Sequence, residues 1–336
     1  MQYVSIGDLA QSFLMKHQSA RLKSEMLGLS QTLASGRHED MAKALRGEFA
    51  PLASIENGIT ALSGYRTATS EFATLLSTAQ AALGTMQDMT AGLAPALISA
   101  GNSGHPALVA TTATDARQKL DGIVSALNVR VADRSVFGGQ ATDRTPLLDG
   151  ADLLNELGAV VAGATTADEI LTRVADWFRT PGGGFETVAY KGSVTPFSPI
   201  PLSERDTGQL ATTALDPGLR PALEAVALAA LVDRLPQLAD PSVAAAVMTR
   251  AGERMLESQS DLAILRSGIG SQEARTEAAR VGNEAELAAL KIARSDLYSA
   301  DPYETATQLQ LVQAQLESVY TMTARLARLS LSEYLK

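Results

Sequence analysis

Apolar side chains recur at alternating steps of three and four residues in several long segments of this sequence. One such ladder contains Ala113, Ala116, Leu120, Ile123 and Leu127. Comparable ladders occupy residues 72–97, residues 248–269 and both ends of the chain. A repeat of 3.5 residues held over such lengths predicts helices that pack lengthwise in a left-handed sense.

Two Asp-Pro dipeptides mark expected helix starts in the second half of the chain, at 240–241 and 301–302. Aspartate is a favoured N-cap residue, and proline fits the first helical position. Glu304 occupies the capping-box position of the second start. These signals predict a nearly continuous helix over about residues 242–299 and a further helix after it.

The middle of the chain, about residues 140–240, breaks this pattern. The stretch "GGGFETVAYKGSVTPFSPIPL" (182–202) combines successive glycines, an alternating strand-like run and several prolines. Its flanks, "LLNELGAVVAGATTADEILTRVADWF" and "LRPALEAVALAALVDRL", have the character of short amphipathic helices. We therefore expect a small mixed α/β domain inserted between two helical arms, with "PGGGF" as a turn that opens a hairpin.

The predicted fold is mainly α: a long antiparallel coiled-coil or helical-bundle rod with a mixed α/β insert. Three parts are expected, and each helical part combines one segment from either arm. They are a terminal coiled-coil domain (1–40 plus 297–336), a helical rod domain (41–137 plus 242–296) and a variable insert (138–241).

Composition narrows the possible functions. The 336 residues are 46% hydrophobic but only 4% aromatic, which suits long packed helices better than β-sandwiches. A net charge of −9 argues against a general nucleic-acid binder. The absence of cysteine excludes disulfides and thiolate chemistry. We expect no Sec signal peptide and no membrane span, because no suitable apolar segment is present.

No constellation of residues indicates an enzyme, a cofactor or a metal site. His17, His38 and His105 lie on different segments without a partner at ligand spacing. The "PGGGF" stretch lacks the Lys-Ser/Thr pair of a phosphate-binding loop. The acidic pair Glu39 and Asp40 has no second carboxylate placed opposite it by the pattern.

The ladders at the two ends of the chain allow two interpretations. In the first, they form an intramolecular bundle. In the second, they also pack against other copies, because a two-helix pair of this size is marginal alone in water. The candidate interface residues are Met15, Leu22, Met26, Leu29, Leu33, Leu309, Val312, Leu316, Val319, Leu326, Leu331 and Leu335. On the second interpretation, the ends are mobile in the monomer and become ordered on assembly.

Short motifs in both arms resemble the flagellin superfamily. In "LSQTLASGR" (29–37), the matching residues are Leu29, Leu33, Ser35, Gly36 and Arg37. The stretch 265–275 resembles the family at Gly270 and Gln272. The carboxyl-terminal stretch 293–335 matches at Ser295, Asp296, Asp301, Glu304, Gln308, Leu309, Gln315, Ser330, Leu331 and Leu335. The resemblance covers about residues 1–135 and 245–336, and "HEDMAKALRGEF" departs from it.

Within the superfamily, one block resembles hook–filament junction proteins more than filament subunits. Asn128 is followed by "VRVADRSVFGG", which ends in Phe137, Gly138 and Gly139. The chain also ends in "SLSEYL", which is similar to junction proteins. We expect the two glycines to end the first helical arm and release the chain into the insert.

The resemblance implies a structural, extracellular component of the bacterial flagellum. Such a protein would be exported through the flagellar type III apparatus and form a ring of its own copies. Its neighbours would be hook-associated protein 1 and flagellin, and an export chaperone would cover the carboxyl-terminal helix from Leu309 to Leu326. The alternatives are a filament flagellin and a cytoplasmic coiled-coil scaffold.

Overall fold

The computed structural model describes the backbone of residues 6–234 and 240–334, with side chains at residue 10, residues 13–234 and residues 240–325. The helices are α1 Ile6–Ser35, α2 Met41–Ala44, α3 Ala50–Ser103, α4 Pro106–Leu127, α5 Gly150–Val160, α6 Ala167–Arg179, α7 Arg220–Leu231, α8 Pro241–Tyr298 and α9 Pro302–Tyr334. The strands are β1 Arg130–Val131, β2 Arg134–Ser135, β3 Ile200–Pro201 and β4 Thr207–Gly208. This confirms the predicted mainly α class with a small mixed part.

The predicted long helix is confirmed by α8, which is continuous across its three glycines. The carboxylate of Asp240 accepts hydrogen bonds from the backbone N–H and the hydroxyl of Ser242 at 2.8 Å. These bonds lower the pKa of Asp240. Asp301 accepts from the backbone of Tyr303 and Glu304. The Glu304 carboxylate itself accepts from Gln308, four residues along α9.

The described residues fall into two compact units, which divide near Ala61 and Glu284. The terminal unit contains the chain up to Ala61 together with the chain from Ala285 onward. The central unit comprises Leu62–Glu284 and holds a continuous core that contains Phe72, Phe137, Phe178 and Phe185.

Within the central unit, α3 and α8 pack antiparallel. Gln259 of α8 donates to the Thr90 hydroxyl of α3 at 2.9 Å, and Arg266 donates to the Gln87 side chain at 2.6 Å. Further along, a side chain at Gly101 would collide with Thr249 and with the backbone oxygen of Ala245. The helices therefore approach closely at that end, where only glycine leaves enough space.

A short hairpin lies against both long helices of the central unit. Strands β3 and β4 pair antiparallel, with Ile200 opposite Gly208. Gly208 faces the ring of Phe72 so closely that a Cβ atom would lie 2.3 Å from it. From α8, the buried Asn283 amide donates to the Leu202 carbonyl at 2.7 Å. The hairpin is thus held by packing on α3 and by a buried hydrogen bond from α8.

The predicted strand in residues 182–202 is wrong over most of its length. Phe185–Ala189 form a π-helical turn, and "PGGGF" opens this turn instead of a hairpin. Phe185 and Ala189, four residues apart, are both fully buried. The same alternation that suits a strand also satisfies this helical spacing, and aromatic contacts of Phe185 with Trp177 and Phe178 decide the outcome.

The interpretation of the segment after residue 219 as an amphipathic helix is also wrong. Helix α7 is buried on every side, and Leu223 to Ala230 have no exposed surface. It packs most extensively against α4 and also contacts α5 and α6. By contrast, α6 is amphipathic as expected, with Ile170, Val174 and Phe178 on its buried face.

The hairpin that follows α4 contains two residues in a backbone conformation that favours glycine. Val131 pairs with Arg134, so Ala132 and Asp133 form a two-residue loop with φ of 47° and 60°. Asn and Gly are preferred in such a loop, and a left-handed alanine carries a steric penalty.

We therefore expect Ala132→Asn to raise the free energy of unfolding of the central unit by about 0.5–1 kcal/mol. Urea unfolding followed by the fluorescence of Trp177, the single tryptophan, measures this change. Ala132→Val is the opposite control and should lower stability, because a β-branched residue is poorly accommodated at positive φ. Equal stability of the two variants would contradict the loop assignment.

Candidate assembly site

The inner face of the terminal unit is an antiparallel contact between α1 and α9. Leu22 of α1 is buried together with Val312, Leu316 and Val319 of α9, and each side chain is at most 9% exposed. Met26 and Leu29 pack partly buried beside them. These six residues come from the predicted interface set, and the structure places them in contact within one chain. Their role between copies stays a prediction.

The other members of the predicted set lie at the margins of this inner face or outside it. Met15 and Leu309 are partly buried, and the Thr323 hydroxyl lies 3.6 Å from the Met15 sulfur. Leu33 is 39% exposed. The side chains of Leu326, Ser330 and Leu331, and the whole of Leu335, lie outside the described residues.

A second set of apolar side chains on the same helices faces away from the inner face. On α1, Phe13 is 71% and Leu27 is 67% exposed, and their spacing of fourteen residues places them on similar sides of the helix. On α9, Leu311 is 57% and Met322 is 58% exposed. Their spacing of eleven residues, close to three turns, also places them on one side. We call the exposed set the outer face: Phe13, Leu14, Leu27, Tyr303, Leu311, Tyr320 and Met322.

Sequence reasoning missed this outer face because it followed a single heptad ladder. A helix that already has an internal seam needs no further apolar side chains for folding. Phe13 and Leu27 lie outside the ladder of Met15, Leu22 and Leu29, and this offset is the signal that could have identified them.

Tyr320 adds a polar margin to the outer face. The Lys23 ammonium lies 5.6 Å from the centre of the Tyr320 ring. A hydrogen bond from Lys23 lowers the pKa of the Tyr320 hydroxyl, with a smaller contribution from Ser19. The edge where α1 meets α9 on this side is therefore basic and aromatic.

The motif "ASGR" lies where α1 ends, and it contacts the break between α8 and α9. Gly36 has a φ of 67°, so glycine is favoured there, and its N–H donates to the Thr32 carbonyl. The Ser35 hydroxyl accepts a hydrogen bond from the Arg37 N–H. These contacts end the helix in a tight turn that directs the following backbone toward residues 298–300.

Two non-helical segments pair at this point through their backbones. Arg37 and Ser299 form an antiparallel β-bridge. The His38 N–H donates to the Tyr298 carbonyl and the Ala300 N–H donates to the Gly36 carbonyl, both at 3.0 Å. We call this arrangement the paired break. It satisfies backbone groups that the ends of α1 and α8 leave without intrahelical partners.

The expectation that Gly138 and Gly139 end the first helical arm is wrong. Helix α4 ends at Leu127, and the β1–β2 hairpin intervenes before the glycines. Asn128 is the C-cap residue of α4. Its side-chain amide donates to the Leu147 carbonyl at 3.1 Å and accepts from the Leu147 N–H at 2.9 Å. The end of the arm is thus fixed by a reciprocal amide pair.

The Phe137–Gly139 block is instead a meeting point of three backbone segments. The fully buried Phe137 accepts a hydrogen bond on its carbonyl from Ala214 at 2.9 Å. The Gly138 carbonyl accepts from Ser193 at 2.9 Å. Gly139 has a φ of 60°, and a Cβ atom there would lie 2.4 Å from the Thr195 carbonyl oxygen. Both the backbone conformation and the close approach require glycine.

The described residues contain no group of three His, Asp or Glu side chains that could hold a metal ion. The three histidines are exposed and lie in α1, in the paired break and before α4. Among the residues described, no helix combines the length and apolar character needed to cross a bilayer.

Comparisons with known proteins bear on the carboxyl-terminal arm and on the fold. Residues 255–335 match the family model described as the bacterial flagellin C-terminal helical region. No curated protein matches the sequence significantly. A solved structure from Vibrio parahaemolyticus, provisionally assigned as a flagellar hook-associated protein, aligns with a TM-score of 0.50. It is 13% identical and covers 73% of this chain and 95% of that chain.

The family match includes both carboxyl-terminal stretches on which the sequence resemblance was based. The structural likeness, at its low identity, concerns the fold alone. Together these findings support the resemblance to the flagellin superfamily.

Proposed function

We propose that this protein is a structural component of the bacterial flagellum that assembles through its terminal helices at the hook–filament junction. The observation that carries the proposal is the match of residues 255–335 to the flagellin C-terminal helical region. The relative from Vibrio parahaemolyticus, with its hook-associated assignment, supports the choice of the junction. Within the superfamily, hook-associated protein 3 is the member that the Phe137–Gly139 block resembles.

The outer face of the terminal unit is the surface proposed for contact between copies. The inner face is occupied by packing within the chain, whereas Phe13 and Leu27 expose most of their surface. Exposed apolar side chains on two adjacent helices are typical of an interaction surface. Burial of several such side chains against a neighbouring copy would be favourable by roughly 1.5–3 kcal/mol for each large residue, before the ordering cost.

By resemblance, the partners are other copies in a ring, hook-associated protein 1 on one side and flagellin on the other. A cytosolic chaperone would cover Leu309 to Leu326 before export through the type III apparatus. Extracellular location follows from the same resemblance. A chain without cysteine is compatible with export in an unfolded state, because no disulfide has to form or be avoided.

Self-assembly through the outer face is tested with the double variant Leu27→Asp, Leu311→Asp. Both positions are well exposed, so the variant should fold like the native chain. We expect loss of assembly at concentrations where the native protein forms oligomers, measured by analytical ultracentrifugation and electron microscopy. The matched control is Ser30→Asp, which adds the same charge at an exposed polar position of α1. Assembly of the double variant at the native concentration would contradict the proposed surface.

Deletion of residues 303–336 tests the role in the cell. For a junction protein, the strain should keep its hooks, lack attached filaments and release flagellin into the medium. For a filament flagellin, the alternative within the superfamily, the deleted protein itself would be the missing filament material. A cytoplasmic scaffold, the other alternative, would show no extracellular pool in the native strain. Normal motility of the deletion strain would refute the flagellar assembly role.

A further inference from the structure

Helix α7 lies in the core of the central unit, yet its hydrophobic pattern does not define which side faces which neighbour. Every residue from Ala222 to Leu231 is buried, and apart from Glu224 these are alanine, leucine and valine. A helix that is apolar all round gains similar burial in several rotations about its axis. Cores of suitable volume tolerate such repacking and lose uniqueness before they lose stability.

The charged residues of α7 are Arg220 and Glu224, four residues apart and therefore on the same side of the helix. The Glu224 side chain has no exposed surface. Its Oε2 accepts from Nε of Arg179, the last residue of α6, at 2.6 Å. Its Oε1 accepts from Nη1 of Arg254 in α8. A single carboxylate thus joins α6, α7 and α8.

Arg220 makes a second set of contacts from the first turn of α7. Its guanidinium donates to the Leu215 carbonyl at 2.9 and 3.0 Å and to the Phe178 carbonyl at 3.2 Å. It also forms an ion pair with Glu186 at 2.8 Å. The Gly182 N–H and Arg220 lower the pKa of Glu186, the former more strongly.

A buried carboxylate is costly to desolvate, and an apolar side chain of similar volume often stabilises a core equally well. Its best-attested use is to select one packing arrangement among several. Any rotation of α7 that moves Glu224 away from Arg179 and Arg254 leaves a carboxylate and two guanidinium groups without partners. The penalty falls on the wrong arrangements alone, since every apolar contact can be replaced by another.

We propose that the Arg179–Glu224–Arg254 triad fixes the rotational orientation of α7, and that the apolar residues of α7 do not. The triad acts as a device for structural uniqueness in the central unit. This inference is independent of the proposed flagellar role, because all of its residues belong to the central unit and none to the terminal helices.

The test replaces the triad with apolar side chains in the full chain: Arg179→Met, Glu224→Leu, Arg254→Met. The protein is labelled with 5-fluorotryptophan, which gives one fluorine resonance for Trp177, the single tryptophan. Trp177 lies two residues from Arg179 and contacts the Phe178 ring, with centroids 4.9 Å apart. We expect native far-ultraviolet circular dichroism together with two or more resonances, or one broadened at least twofold.

The matched control removes an exposed triad of opposite composition from α8. Arg280 pairs with Glu277 at 2.6 Å and with Glu284 at 2.7 Å, and all three side chains are well exposed. The variant Glu277→Leu, Arg280→Met, Glu284→Leu should retain one sharp resonance. One sharp resonance in the α7 triad variant would overturn the proposal, because orientation would then not depend on the triad. Loss of helical circular dichroism would also overturn it, because the triad would then act through stability.

Discussion

Replacement of Gly139 by alanine is expected to destabilise the central unit by about 2–5 kcal/mol. A left-handed backbone conformation costs alanine about 1–2 kcal/mol, and Gly139 has a φ of 60°. Overpacking adds about 1–3 kcal/mol, because the new Cβ atom would lie within 2.6 Å of the carbonyl oxygens of Thr195 and Ser193. Both obstacles are backbone atoms, which cannot rotate away as a side chain can. Urea unfolding followed by Trp177 fluorescence measures the loss.

Gly163→Ala is the matched control for this variant. Gly163 has a φ of 77°, and nothing lies within 4 Å of the position of an added Cβ atom. The control should therefore show the conformational penalty alone, about 1–2 kcal/mol. Equal losses in the two variants would mean that the close approach of the 193–195 backbone contributes nothing. The role assigned to the Phe137–Gly139 block as a meeting point of backbone segments would then be wrong.

Replacement of Leu22 by aspartate is expected to separate α1 from α9. Leu22 is 2% exposed and packs against Val312, Leu316 and Val319. Removal of a buried leucine costs about 2–5 kcal/mol, and a carboxylate without a partner in an apolar seam adds to this loss. A two-helix pair has little stability in reserve. Amide hydrogen exchange should show loss of protection over both helices.

The exposed Leu27 supplies the control on the same helix. Leu27→Asp introduces the same side chain at a position that is 67% exposed, so protection of α1 and α9 should remain near the native level. Trp177 fluorescence should be unchanged in both variants, because the tryptophan belongs to the core of the central unit. Retained protection in Leu22→Asp would show that the inner face is not what holds the helices together.

The sequence predicts the long helices well, because two independent signals agree there. For α8, the Asp-Pro start and a sustained apolar ladder point to the same element, and the penalties of its glycines are small beside the sum. The inner face of α1 and α9 follows from the same ladder. What the ladder cannot give is the outer face, since apolar side chains not required for folding carry no periodic mark.

The centre of the molecule was predicted less well for a different reason. The alternation in residues 185–190 fits a strand locally, but aromatic contacts made by Phe185 with residues seven and eight positions away favour a π-helical turn. Similarly, "LRPALEAVALAAL" carries no sign that all of its sides are covered, since that depends on α4, α5 and α6. Both failures concern tertiary contacts that override local pattern.

The paired break has a consequence for how the terminal helices unwind. Helix unwinding spreads easily along a continuous hydrogen-bond ladder, whereas a new helical segment must be nucleated separately at considerable cost. Residues 36–40 interrupt the ladder on one side and residues 299–301 on the other, and the β-bridge aligns the two interruptions. Unwinding that begins at either end of the chain therefore reaches a boundary at the same level on both strands of the pair. The terminal helices can melt and reform as one cooperative segment while α3 and α8 keep their own helical ladders.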